Sequence, residues 1–395
     1  MLYPSLQLKK NEDRRIRGGH LWIYSNEINT SVTPLNQFAS GQLVNIFDHQ
    51  NKTIGTGYIN PNSLISVRLL QREINATIDD TFFIERFKSA LTLRERLFKQ
   101  PFYRIVYGDS DNIPGLIIDR FNDVLVVQAN TAGIELLLPV IKQALITLLK
   151  PTAILLRNDS NARKLENLPD YVEPLHGEPP KEIILEENNT QFQTNIWQGQ
   201  KTGWFYDHRI NRVNMMKYVK DKRVLDVFCY AGAWAIQAAV AGAKEVNVID
   251  SSMPALSQVE FNAKLNHVSD KIKIIHDDAF KALTHLKNAK EQFDVIILDP
   301  PAFIKRKKDI KEGLIAYRRI NDLAMQLLRP DSILISASCS QHLDQNTLID
   351  ILRSTSLARN KTLQIIELGH QGPDHPIHPA ILETQYLKAI FARIY

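Results

Sequence analysis

Cysteine is scarce in this chain of 395 residues, since Cys229 and Cys339 are the only two. Two cysteines cannot build the disulfide framework of a small secreted domain, and they are too few for a cysteine-based zinc site. We therefore expect a cytoplasmic protein that carries no metal ion.

The sequence also lacks long apolar runs and a strong excess of one charge. No uninterrupted apolar run reaches the length of about 18 residues that predicts a membrane span, and Met1-Leu2-Tyr3-Pro4 does not open a signal peptide. We expect no membrane association. The formal net charge of +5 favours nucleic acid as a partner without establishing it.

The patterns along the chain predict several domains, because the length exceeds that of one typical domain. Short alternating strands at 41–47, 53–59 and 64–70 predict a small β-barrel. From about residue 200, strands alternate with helices, which predicts an α/β fold with a doubly wound parallel sheet. The expected segments are a β-barrel at 1–72, an α+β domain at 73–180, a β-hairpin connector at 181–200 and the α/β domain at 201–395, with the proline-rich stretch 170–180 as the best boundary.

Two basic segments are candidate RNA contacts, because cations neutralise phosphates and aromatic rings stack on bases. The alternatives are a solvated turn that leads into a core strand at the first segment and a solvated loop at the second. The candidate residues are Arg14, Arg15, Arg17, Gly18, His20 and Trp22 in the first segment, and Lys305 and Arg306 in the second.

Acidic and small residues follow three predicted strands, where an α/β sheet binds its ligands. The first turn has no G-x-G-x-x-G pattern, which argues against a nicotinamide or flavin cofactor. The acidic residues at the strand ends can accept hydrogen bonds from ribose hydroxyls and from the amino group of adenine, which favours S-adenosylmethionine as the ligand. The alternative is that each acidic residue is the N-cap of the helix that follows. The candidate residues are Asp226, Phe228, Tyr230, Ala231, Gly232, Asp250, Ser251, Asp278 and Ala279, together with Asp299 at the end of the next strand.

Asp299-Pro300-Pro301 ends the next strand. Two prolines make a rigid turn with exposed carbonyls that can face a planar base, and Asp299 can bind the amino group or the protonated N3 of a cytosine. The alternative is a plain strand-terminating turn.

Cys339 lies in a polar segment at the end of the following strand. Because C5 of cytosine is a weak nucleophile, its methylation requires prior addition of a thiolate to C6, and Cys339 is the candidate thiol. The alternative is a buried cysteine that packs as a small apolar residue. We expect Cys229 to pack beside the cofactor.

These segments resemble the bacterial 23S ribosomal RNA cytosine-C5 methyltransferase family. The resemblance rests on residues 17–24, 110–121, 201–209 and 299–301, on Ser338-Cys339-Ser340, and on residues 374–376 and 386–388. It implies an N-terminal PUA domain, a central α+β domain and a C-terminal class I methyltransferase domain with a Rossmann-like sheet. It also implies that Cys339 attacks the base beside Asp299, and that Lys201, Thr202 and Arg209 lie beside the cofactor and the target pocket.

The implied partner is 23S ribosomal RNA, naked or in a partly assembled large subunit, and a homodimer is left open. Two alternatives remain at this point. One is a different methyltransferase, such as one for guanine N7, which needs no covalent activation of the base. The other is a non-catalytic RNA-binding or assembly factor.

Overall fold

The computed structural model describes residues 3–395, so Met1 and Leu2, which begin the predicted domain 1–72, lie outside the described residues. The chain forms two compact units, each assembled from three segments. The first unit comprises the chain up to Ile183, Asn195–Tyr206 and Pro373–Thr384, and the second comprises Ile184–Thr194, Asp207–Gly372 and Gln385–Tyr395. The four segments expected from the sequence, with the three boundaries between them, stay predictions.

The first unit begins with a five-stranded sheet in the order β1-β3-β4-β5-β2. Its elements are β1 (Ser5–Gln7), α1 (Arg14–Arg17), β2 (Trp22–Tyr24), β3 (Gln42–Phe47), β4 (Thr53–Ile59) and β5 (Ile65–Gln71). Strands β3, β4 and β5 confirm the three predicted strands to within one residue at each end. Ile46 of β3 and Val67 of β5 are fully buried in the core under this sheet.

A second sheet in the first unit has the order β10-β9-β8-β7-β6. Its elements are α2 (Asp80–Leu97), β6 (Phe102–Tyr107), β7 (Leu116–Phe121), β8 (Val124–Ala129), α3 (Ala132–Leu149), β9 (Ala153–Asn158), α4 (Asn161–Lys164) and β10 (Tyr171–His176). The sequence did not predict β10, which lies in the proline-rich stretch 170–180. Pro174 is tolerated there because β10 is an edge strand, paired only with β9.

Helix α3 is long and apolar enough to cross a membrane, with a mean hydropathy of 1.7 over 18 residues. Glu135 and Lys142 interrupt its apolar sequence, so no uninterrupted apolar run of that length occurs there. Ile134, Ile141 and Leu145 of this helix are fully buried in the core of the first unit. Glu135 also binds Arg163 at 2.7 Å. The helix therefore behaves as the core helix of a folded domain.

The second unit contains a seven-stranded sheet in the order β15-β14-β13-β16-β17-β19-β18. The chain order is β11 (Glu182–Glu187), β12 (Thr190–Asn195), α5 (Arg209–Met215), β13 (Arg223–Val227), α6 (Ala233–Val240), β14 (Glu245–Asp250), α7 (Met253–Leu265), β15 (Ile272–His276), α8 (Ala279–Asn288), β16 (Phe293–Leu298), α9 (Ile310–Leu327), β17 (Leu328–Ser338), α10 (Gln345–Ala358), β18 (Leu363–Gly369) and β19 (Lys388–Ile394). Strands β13 to β17 are parallel, and β19 is antiparallel to β17 and β18. The predicted α/β fold with a doubly wound parallel sheet is confirmed.

The order of the parallel strands reverses between β13 and β16, and in doubly wound sheets ligands bind at the carboxyl ends of the strands at such a switch point. Leu225, Ile296 and Leu334 are fully buried in the core beneath it. These strands are mostly apolar, and polar residues lie at or just after their carboxyl ends. The fold therefore places Asp226, Asp299 and Cys339 at neighbouring strand ends.

Candidate active site

The turn after β13 is conformationally unusual. Phe228 and Tyr230 have positive φ angles of 66° and 47°, and Gly232 has a φ of 80°. Residues with a side chain larger than that of glycine rarely adopt positive φ angles, so the backbone is strained at Phe228 and Tyr230. Backbone strain of this kind is concentrated at ligand-binding and active sites. At Gly232 a Cβ atom would also lie 3.2 Å from Val259. Asn262 fixes the turn by donating to the Ala231 carbonyl at 3.0 Å.

Asp226 is fully buried at the start of this turn. Its Oδ2 accepts the Ala235 N–H at 3.1 Å, whereas its Oδ1 has no hydrogen-bond partner within residues 3–395. Burial raises the pKa of Asp226 well above its ordinary value, and the Asp299 and Asp250 carboxylates raise it further. An unpartnered acid that interacts with two more acids favours a ligand that carries positive charge.

Asp250 and Asp278 differ in what they bind. The Asp250 carboxylate accepts the N–H groups of Tyr230 and Ser252 at 3.0 and 2.9 Å, so it ties the β14 end to the turn after β13. Asp278 Oδ1 accepts two N–H groups at the start of α8, which is the N-cap arrangement weighed as the alternative. Ser251 is exposed and Ala279 is buried. A carboxylate oxygen can accept further bonds, so the cofactor role of both acids stays a prediction.

Asp299 is held from two sides at the end of β16. Trp234 Nε1 donates to its Oδ2 at 3.0 Å, and His208 Nε2 lies 3.2 Å from its Oδ1. Asn211 Nδ2 contacts His208 Nδ1 at 3.0 Å and so orients the ring. Burial raises the pKa of Asp299, but the charge and hydrogen bonds of His208 and Trp234 outweigh that effect and hold it below its ordinary value. Asp299 is thus kept ionised, followed by buried Pro300 and exposed Pro301.

Cys339 lies in a turn that hydrogen bonds hold on both sides. Tyr317 Oη is 2.8 Å from the hydroxyl oxygens of both Ser338 and Ser340. The Ile304 N–H, from the loop after Pro301, binds Ser340 Oγ at 3.2 Å. These bonds couple the loop that carries Asp299 to the turn that carries Cys339.

The two cysteines have different surroundings. Cys229 is 3% exposed, and burial raises its pKa well above its ordinary value, with a further rise from the Asp226 carboxylate. Cys339 is only partly buried. A thiol must ionise to act as a nucleophile, so the surroundings favour Cys339 over Cys229 for that role.

Aromatic rings form a cluster at the same strand ends. The Phe303 ring centroid lies 4.9 Å from that of Tyr317, 6.2 Å from that of Phe280 and 6.3 Å from that of Phe228. Such rings offer flat faces to a planar ligand. The predicted candidate Phe228 belongs to this cluster, and Ala279 precedes Phe280 in the chain.

Three predicted cofactor residues have partners of their own. Lys201 and Thr202 belong to the first unit, where the Lys201 ammonium lies 4.5 Å from the Phe205 ring centroid and Thr202 Oγ1 donates to Asp119 at 2.6 Å. Arg209 belongs to the second unit, with its Nε 3.6 Å from a Glu187 oxygen. Their contact with a cofactor stays a prediction.

The predicted RNA-contacting residues of the N-terminal segment make structural contacts. Arg15 pairs with Glu27 at 2.8 Å, Arg17 with Asp13 and Asp48 at 2.7 and 2.9 Å, and Trp22 Nε1 donates to Asp109 at 2.6 Å. His20 is buried, and burial lowers its pKa to about 4. Exposed positions in this segment are Arg14, Arg17 and Gly18, and Lys305 and Arg306 are exposed in the second segment. RNA contact stays a prediction for all eight residues.

Four residues of the site had no role predicted from the sequence: His208, Trp234, Tyr317 and Lys388. Each contacts Asp299 or the Cys339 turn across a sequence separation of 21 to 91 residues. Trp234 lies two residues after Gly232, and that position was the one available signal. Tyr317 lies in the middle of α9, where nothing in the pattern distinguishes it from a core residue.

Two family models match the chain. Residues 6–72 match the model of a PUA-like domain, and residues 157–392 match that of an S-adenosylmethionine-dependent methyltransferase. The curated protein "Ribosomal RNA large subunit methyltransferase I" of Shewanella frigidimarina is 35% identical over 99% of both chains.

Solved structures show the same fold at lower identity. A structure from Streptococcus mutans, provisionally described as a SAM-dependent methyltransferase, is 18% identical and aligns with 99% of this chain and 100% of its own at a TM-score of 0.83. A second methyltransferase structure, complexed with SAH, is also 18% identical over 99% of this chain and 100% of its own, with a TM-score of 0.84. Both likenesses extend over the full chain.

Proposed function

The chain belongs to the family of S-adenosylmethionine-dependent methyltransferases, and from this premise we propose that it methylates C5 of a cytosine in the 23S ribosomal RNA of the large subunit. The substrate class follows from the printed name of the 35% identical relative and from the PUA-like match. The position on the base follows from the chemistry of Cys339. The substrate class and the methylated position on the base are therefore tested by different measurements.

The residues at the strand ends fit S-adenosylmethionine. Its sulfonium and ammonium groups are cationic, and the unpartnered Oδ1 of buried Asp226 favours such a ligand. Asp250 and Asp278 would hold the nucleoside part, and the strained turn from Phe228 to Gly232 would pass close to it. When bound, the cofactor supplies a methyl group that is electrophilic because it is attached to sulfur.

Asp299 would hold the target base. It is ionised well below neutral pH and has lone pairs left beyond its bonds to His208 and Trp234. A carboxylate accepts a hydrogen bond from the amino group of cytosine. Pro300 and Pro301 lack N–H groups, so their turn presents carbonyl oxygens without competing donors.

Cys339 would supply the covalent step. Its thiolate adds to C6, which forms the S–C6 bond and makes C5 nucleophilic. C5 then accepts the methyl group and loses its proton to a base. Breaking the S–C6 bond restores the aromatic ring and the thiolate. The observation that carries this step is a partly buried Cys339 in a turn that Tyr317 and Ser340 join to the Asp299 loop.

The test is to identify the methylated nucleoside. Large-subunit RNA from cells with and without the protein is digested and analysed by mass spectrometry, and the purified protein is then added back to the unmodified RNA. We expect 5-methylcytidine at one position, present only with the active protein. Loss of 7-methylguanosine instead would refute the proposal in favour of guanine N7 methylation. Unchanged RNA in both arms would refute large-subunit RNA as the substrate.

A further inference from the structure

Lys388 is a buried lysine beside the Cys339 turn. It is the first residue of β19, it lies opposite Ser338 of β17, and it is 8% exposed. Its Nζ donates to the carbonyl oxygens of Ser340 and Tyr386, both at 2.7 Å. No carboxylate oxygen within residues 3–395 lies within 4 Å of that ammonium. Burying an ammonium group without a carboxylate partner costs free energy of folding. A negative charge from another nearby group would offset that cost.

Cys339 is the group in position to carry that charge. Lys388 is opposite the residue before Cys339 and bonded to the residue after it. Burial lowers the pKa of Lys388 to about 8, and the Cys339 and Asp344 charges oppose that lowering. Lys388 therefore keeps its proton at neutral pH and interacts electrostatically with the thiol.

Two other ionisable groups near the Cys339 turn, Tyr317 and Asp344, do not supply a positive charge. The Tyr317 hydroxyl from α9 is neutral, because burial raises its pKa. Asp344 caps α10 and is ionised, because the N–H and hydroxyl of Thr347 lower its pKa. An anion there opposes ionisation of the thiol. Among these neighbours, Lys388 alone favours the thiolate.

We propose that Lys388 is a positioning residue that raises the thiolate fraction of Cys339 at neutral pH, ready for addition to C6. This inference rests on the proposed function for its purpose, but the ionisation of Cys339 can be measured without RNA or cofactor. The Lys388 bonds to two carbonyls also fix where the ammonium lies relative to the turn. The charge of Lys388 and its hydrogen bonds to the two carbonyl oxygens can therefore be tested with different substitutions.

The experiment measures alkylation of Cys339 by iodoacetamide as a function of pH. The full-length protein is used, and peptide mass spectrometry quantifies Cys339 separately from Cys229. Lys388→Gln removes the charge but keeps N–H donors for the carbonyls, and Lys388→Arg restores the charge. We expect the alkylation midpoint to rise by about one pH unit or more in Lys388→Gln, with a roughly tenfold slower reaction at pH 7. Lys388→Arg should reverse most of that shift.

Lys361 provides the matched control. Its ammonium also binds two carbonyl oxygens, those of Met325 and Leu328 at 2.7 and 3.0 Å, and burial lowers its pKa. It lies at the opposite end of β17, on the order of 30 Å along the strand from Cys339. Lys361→Gln should therefore leave the Cys339 midpoint unchanged.

Three results would overturn the assignment. The first is a Lys388→Gln midpoint equal to that of the wild-type protein, and the second is an equal shift in Lys361→Gln. The third needs no variant and applies even where Lys388→Gln does not fold: a wild-type midpoint at or above the ordinary cysteine value of about 8.5. Failure of the proposed function has a different signature, because large-subunit RNA that gains no 5-methylcytidine with the wild-type protein would refute that function and leave the alkylation result intact.

Discussion

Replacing Trp234 with Phe removes one of the two groups that hold the Asp299 carboxylate. The indole N–H donates to Oδ2 at 3.0 Å, while His208 remains 3.2 Å from Oδ1. The pKa of Asp299 is held below its ordinary value, so Asp299 stays ionised at acidic pH. The stability that its ionised form contributes is lost only when the pH falls through the pKa of the folded state. Removing one hydrogen-bond donor raises that pKa, so Asp299 becomes protonated at a higher pH.

The size of the shift follows from the hydrogen bond. A hydrogen bond to a charged group contributes about 1.5 to 3 kcal/mol, and one pKa unit corresponds to about 1.36 kcal/mol. We therefore expect the pKa of Asp299 to rise by roughly one to two units in Trp234→Phe. His208→Ala should give a comparable rise, and His208→Gln a smaller one because its amide can still donate to Oδ1.

The assay is a carbon-13 NMR titration of the Asp299 carboxyl group in the free protein. The acid limb of kcat/KM for RNA methylation would be set at higher pH by the Cys339 thiolate and so would not report Asp299. Cofactor binding at neutral pH serves as the check that each variant is folded. A titration midpoint that stays in place in both Trp234→Phe and His208→Ala, with cofactor binding intact, would refute the roles assigned to Trp234 and His208 in keeping Asp299 ionised.

Three further predictions concern the cofactor, the turn and the RNA. Asp226→Asn should make the protein without cofactor more stable at neutral pH, because the raised pKa of Asp226 makes its ionised form costly there. It should also abolish proton release on S-adenosylmethionine binding in calorimetry, and unchanged proton release would contradict this. Ser340→Ala removes the acceptor for the Ile304 N–H and should lower kcat about tenfold while KM for the cofactor stays constant; an equal loss in both would argue for general unfolding. Lys305→Ala should reduce the slope of RNA affinity against salt by roughly 0.7 to 0.9, and an unchanged slope would exclude exposed Lys305 from phosphate contact.

Local patterns in the sequence predicted the strand ends well. Asp226, Asp299 and Cys339 each follow an apolar run that becomes a parallel strand, and a doubly wound sheet brings such ends to one edge. Strand β10 was missed because Pro174 weakens the strand signal, and the sequence alone does not identify an edge strand.

Partners distant in sequence were beyond prediction. Arg15 and Arg17 were candidate phosphate contacts from their spacing, yet Glu27 and Asp48 pair with them from other strands and turns. His208, Tyr317 and Lys388 became part of the site only because the fold brings α5, α9 and β19 beside Asp299 and Cys339. Tertiary packing decides these contacts, and a single sequence carries little signal for them.

Covalent trapping tests the central claim most directly. The protein is incubated with S-adenosylmethionine and large-subunit RNA that contains 5-fluorocytidine, whose C5 cannot lose a proton, so the S–C6 bond persists. We expect a protein–RNA adduct whose cross-linked peptide contains Cys339, which is lost in Cys339→Ala and retained in Cys229→Ala. An adduct that persists in Cys339→Ala, or 5-methylcytidine formed by that variant on ordinary RNA, would contradict the account.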